Sequence, residues 1–154
     1  MHVGRVDEAL PLLEQAVERA AAMKLRANQA VRLARLAEAH VKAGHPDRAF
    51  PVAAQALDLT QELRERGHEA HVLRLLASIE MERAEPAFDR AEEGFRKALA
   101  LAEQLGMRPL QAHCHLGLGR LYQRRGDGEA AAAISAARDL FRPMGMTYWL
   151  RETG

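Results

Sequence analysis

Seven histidines and one cysteine are the residues best suited to chemistry in this sequence, and two clusters hold most of them. His68-Glu69-Ala70-His71 places two imidazoles at i and i+3, on one helix face. The zinc-protease pattern needs histidines four residues apart with a glutamate between them, and a zinc site needs further ligands that do not stand nearby. His113-Cys114-His115 flanks the single thiol with imidazoles, which is the composition of an activated nucleophile. Neighbours on a helix point about 100° apart, however, so His113 and His115 face different sides. Cys114 therefore reads better as a small buried hydrophobe, and His115 as a packed residue. Gly117 and Gly119 imitate a phosphate loop only in part, because no strand precedes them and no Lys-Ser or Lys-Thr follows. Arg64/Arg66 and Arg124-Arg125 are too few for DNA. The sequence leads to the expectation of a chain that is not an enzyme, with no catalytic residue, no metal site and no cofactor.

The elements that carry these residues follow from composition. Of 154 residues, 30 are Ala and 21 Leu, whereas Val, Ile and Thr together number 12 and aromatics make up 5%. Pleated sheets need many more branched and aromatic side chains, so the fold expected is all-α. A net charge of +1 gives no electrostatic reason to expect a nucleic-acid partner. No apolar run approaches the roughly 20 residues of a membrane span, and residues 1–8 lack the basic start and apolar stretch of a signal peptide. A single cysteine cannot pair within the chain, which makes the reducing cytoplasm the default location.

The sequence also repeats. Gly4, Ala9, Leu13 and Ala16 recur as Gly44, Ala49, Ala53 and Ala56, then partly as Ala91, Phe95, Ala98 and as Ala130, Ile134, Ala137. Between them Ala30, Leu36 and Ala37 recur as Ala70, Leu76 and Ala77, then as Ala112, Leu118 and Gly119. The unit is a helix pair with a period of 39–42 residues. Its first helix is expected from Arg26 to Ala43. Gly44-His45-Pro46-Asp47 closes that helix with a left-handed glycine and opens the next with proline and an acidic first turn. Gly67, Gly106 and Gly145 are expected to end the second helices. The position Ala37/Ala77/Gly119 is always small, which lets a neighbouring helix approach closely.

Leu118-Gly119-Arg120-Leu121-Tyr122, Gly126 and Ala130-Ile134-Ala137 resemble the tetratricopeptide repeat (TPR) family nearly throughout. Leu36-Ala37, His40, Gly44, Ala49, Ala53 and Ala56 keep the spacing with His in the Tyr place. The period exceeds the family's usual 34, and the middle unit lacks its turn glycine around residues 84–89. The resemblance implies a right-handed α-solenoid of about seven helices. A lone second helix (residues 1–25) would precede three repeats (26–67, 68–107 and 108–145), and residues 146–154 would start a further helix or tail. Stretches such as RERGHEAHVLRLLASIEMER resemble C-terminal arrays of large bacterial signalling proteins, where a nucleotide cyclase or kinase domain and a regulatory ATPase precede the repeats. That likeness implies a cytoplasmic sensing or scaffolding tail.

In this family the ligand surface is the concave one, made by the first helices. The positions mapped there are Arg35, Glu38, Lys42, His71, Arg74, Ser78, Glu82, His113, Arg120, Gln123 and Arg124. Five are basic and two acidic, so an acidic protein or peptide is the partner expected, although scattered helix-surface charges are also ordinary. The family's carboxylate clamp uses Lys and Asn, and no Asn stands at these positions. Leu36, Leu76, Leu118, Ala37, Ala77, Gly119, Tyr122, Ala49, Ala91 and Ala130 are expected to be structural. Leu10, Leu13 and Val17 at one end, and Tyr148, Trp149 and Leu150 at the other, are expected to face outward. Either the chain is then a piece of a longer protein or it dimerises through these ends. Folding of Trp149 back onto the last pair is the alternative.

Overall fold

The computed structural model describes residues 3–153, with side-chain surroundings from residue 5 onward. They form eight helices: α1 (Val3–Ala22), α2 (Gln29–Lys42), α3 (Pro46–Glu62), α4 (Arg66–Glu82), α5 (Phe88–Gln104), α6 (Arg108–Arg125), α7 (Ala130–Phe141) and α8 (Thr147–Glu152). No strand occurs among the described residues, and none of these helices is long and apolar enough to cross a membrane. The eighth helix grows from the segment read as the start of a further one. Gly4, which aligns with the turn glycine Gly44, lies inside α1.

Six of the seven joints share one backbone device. The residue after a left-handed one donates its amide to the carbonyl five positions back: Leu25 to Ala20, His45 to His40, Glu65 to Thr60, Met107 to Ala102 and Asp127 to Tyr122, each at 2.8 Å, and Met146 to Phe141 at 3.3 Å. These bonds satisfy carbonyls that the helix end would otherwise leave bare. Glycine takes the left-handed position at 44, 106, 126 and 145, but Lys24 (φ 54°) and Arg64 (φ 56°) take it elsewhere. The expectation that Gly67 ends α3 is therefore corrected. The stop is at Arg64, and Gly67 sits in the first turn of α4. A side chain in that conformation carries about 1 kcal/mol of strain that glycine escapes. Arg64→Gly should raise stability by about 0.5–1 kcal/mol, read as a higher urea midpoint. A lowered midpoint would show that Arg64 is not strained.

The exception is the joint between α4 and α5, where no glycine stands. Here Arg83 leaves the helix in an extended conformation, and the Arg124 guanidinium, from α6, donates to the Met81 carbonyl at 2.7 Å. Arg83 turns back to Asp47 at 3.0 Å and lies over the Phe50 ring.

Every described helix packs on its successor; among second neighbours the backbones of α2 and α4 and of α4 and α6 come close, and side chains join α6 to α8. Small residues set that closeness. Ala37, Ala49, Ala77 and Ala91 are buried, and Ala130 is half-buried. A Cβ on Gly119 would lie 2.6 Å from Ile134 Cγ1. Leu36 and Leu118 are buried as expected, but Leu76 is only half-buried. The Tyr122 ring is buried while its hydroxyl donates to Glu92 at 3.0 Å and accepts from Arg96 at 3.2 Å. His40, in the equivalent place, is buried with Nδ1 unpartnered, and its Nε2 lies 3.7 Å from Glu14 of α1.

The ends differ from expectation. Leu10, Leu13 and Val17 are half-buried, because α1 lays this face on its neighbours. Leu12 (67%) and Met23 (68%) are exposed instead. At the other end Trp149 folds back. Its ring stacks on Phe141 with centroids 6.0 Å apart, and Leu150 joins the same apolar cluster, whereas Tyr148 stays exposed. Two polar contacts hold α8 down: Arg138 to the Thr153 carbonyl and Arg120 to Glu152 at 3.1 Å.

Candidate functional site

Among the helices that touch at second-neighbour range, α2, α4 and α6 carry all eleven mapped residues. The structure does not gather the eleven into one surface. Arg74, Ser78, Glu82, His113 and Arg120 line a cavity of about 670 Å³. Arg35, Glu38 and Lys42 line a separate depression of about 420 Å³ against Ala9, Leu12 and Leu13 of α1. His71, Gln123 and Arg124 line neither, and Arg124 is spent capping α4 and covering Phe88.

Helical spacing explains the cavity's polar wall. Arg74, Ser78 and Glu82 stand at i, i+4 and i+8 on α4, and so share a face. The Ser78 hydroxyl donates to the Arg74 carbonyl at 3.1 Å. Arg74 has its Nε sealed from solvent without a partner, and no ion pair reaches it among the described residues. Burial lowers its pKa, against the pull of Glu38. Arg120, by contrast, is engaged by Glu152. The opposite wall is apolar. Phe95, from α5, reaches the cavity beside Gly117, where any Cβ would come within 2.5 Å of Phe95 Cζ. Leu116 and Trp149 continue that wall. His113 meets the Trp149 ring edge-on, with centroids 4.4 Å apart and planes at 89°. Desolvation holds the His113 pKa down to about 4, helped by Arg74, His71 and Arg120.

The sequence-counted surplus of three positive charges is not what the cavity carries. Its charged lining is Arg74 and Arg120 against Asp47 and Glu82, two and two. Asp47 enters because the tight α2–α3 joint brings the first turn of α3 to the rim. Asp47, Phe95, Leu116, Gly117 and Trp149 were not mapped to the groove. Of these, the bare Gly117 beside a run of large residues was the readable signal.

The other chemistry-bearing residues are dispersed. Cys114 is fully buried and its thiol is pushed up to about 12, chiefly by that burial, so it cannot serve as a nucleophile near neutral pH. His115 is half-buried, as its packed role requires, and burial lowers its pKa. His68 pairs with Glu65 at 3.2 Å. Among the described residues no three His, Cys, Asp or Glu side chains converge as metal ligands do. Comparison with protein-family models and with characterised proteins returns no match to this chain.

Proposed function

We propose that this chain is a TPR-like protein-interaction module, a right-handed α-solenoid in the cytoplasm, acting as the regulatory or sensing tail of a larger signalling protein. Packing of each described helix on its successor, with second-neighbour contacts running along α2, α4, α6 and α8, supports the solenoid reading. The observation that carries the binding role is the cavity between α4 and α6, where half-buried Arg74, its Nε sealed and unpartnered, has no ion pair among the described residues. A partner segment carrying one acidic residue beside an apolar one would satisfy that cation on a preformed surface.

Peptide arrays probed with the labelled chain test the proposal. Peptides with Asp or Glu beside an apolar residue should be retained, and Arg74→Glu should weaken them by about tenfold or more. Equal retention by Arg74→Glu overturns the reading. Arg120→Glu is the poorer test, because reversing it also repels Glu152 and frees α8.

A second reading, self-association, is favoured by the exposed Leu12 and Met23 of the N-terminal helix region. Sedimentation at several concentrations should then show a dimer that Leu12→Glu dissociates.

A further inference from the structure

The same cavity supports a ligand class beyond a docked protein segment. Its volume of about 670 Å³ lies within the range of small-molecule sites, about 300–1,000 Å³. One wall offers a single unengaged cation, since Arg74 has no ion pair while Arg120 is held by Glu152. The facing wall offers the half-buried Trp149 ring, backed by the nearly sealed Phe95 and Leu116, with the Phe95 ring filling the space beside Gly117. Two carboxylates, Asp47 and Glu82, complete the lining. Asp47 is neutralised by Arg83, but Glu82 makes no ion pair among the described residues. A second negative charge on a ligand would thus meet Glu82 with no cation left to answer it. Arg74 is half-buried with its Nε sealed and unpartnered, and a carboxylate on the accessible end of its fork gives that cation an anion at short range.

We propose that this cavity binds a small monocarboxylate with a flat apolar body, the carboxylate on Arg74 and the body against Trp149, Phe95 and Leu116. The site needs no partner protein, so failure of the peptide arrays leaves it standing.

Trp149 is the only tryptophan in the chain and stands in the wall, so its emission reports occupancy directly. The probe is phenylacetate, with phenylacetamide as its neutral counterpart and phenyl phosphate as its dianion, each added to the whole chain at pH 8. Phenylacetate should shift Trp149 emission saturably in the millimolar range or below, as its size allows. Phenylacetamide and phenyl phosphate should each bind about tenfold more weakly. Arg74→Gln should lower phenylacetate affinity about tenfold, and exposed Glu82→Gln should raise phenyl phosphate affinity about threefold or more. Calorimetry on the same samples separates binding from a change in emission alone. No saturable response by about 10 mM phenylacetate would overturn the proposal. So would equal binding of phenylacetamide, tighter binding of phenyl phosphate, or unchanged affinity in Arg74→Gln. The three wild-type titrations decide the matter even where Arg74→Gln fails to fold.

Discussion

Phe95→Ala is expected to destabilise the chain by about 3–5 kcal/mol, the range for losing a whole aromatic side chain from a packed interior. Phe95 is 1% exposed, and its cluster joins Ala77 and Met81 of α4 to Leu118, Leu121 and Tyr122 of α6. Its removal therefore loosens three helices together. Phe95 also explains Gly117, because a Cβ at that position would lie within 2.5 Å of Phe95 Cζ. Two effects oppose each other in Gly117→Ala. Helix propensity favours Ala by about 1 kcal/mol, and collision with the ring costs about 1–3 kcal/mol. The collision should win, giving a net loss. In the Phe95→Leu background the ring is gone, so Gly117→Ala should become neutral or stabilising. Urea unfolding of the four proteins forms a double-mutant cycle, and strict additivity would show that the two positions do not touch.

Acid should weaken the fold through half-buried His113 by about 1–2 kcal/mol between pH 6.5 and pH 4, solvent screening taking part of the full effect. Burial, with Arg74, His71 and Arg120 nearby, holds its folded pKa at about 4, below the unfolded value near 6.5. Between those values the unfolded chain binds a proton that the folded chain refuses, so stability is complete above pH 6.5 and is lost as pH falls toward 4. Buried His40 and half-buried His115 are also lowered, chiefly by burial, and add to the slope in the same direction. Carboxylates leaving their ion pairs contribute as well, so the wild-type profile alone does not isolate one residue. The difference between wild type and His113→Phe does. Its dependence on pH should be steep below 6.5 and flat above, and a parallel pair of profiles would refute the assignment.

The helical content, the repeat period and most joints were legible in the sequence, because Ala spacing and left-handed glycines act locally. Gly44, Gly106, Gly126 and Gly145 all lie at joints with positive φ. Lys24 and Arg64 do the same work without any signal of type, so the stop before α4 was placed three residues late. The α4–α5 joint shows a different limit. Its cap, Arg124, arrives from 43 residues further along the chain, and no local pattern marks such a donor. The candidate groove suffered in the same way. Helix-face spacing put Arg74, Ser78 and Glu82 together correctly, but which cations stay unpaired depends on Glu152 and Met81 of other helices. Trp149 was legible only as a large apolar residue in need of cover, and its cover is Phe141 and His113.

No described helix touches one more than two places away in the chain. Order therefore passes along this molecule between helices one or two places apart, and contacts that close longer loops are missing from the folding barrier, which favours rapid folding. Protection from amide exchange should then grade with distance from the termini, deepest around α4 to α6 and shallowest in α1 and α8, in place of one all-or-none opening.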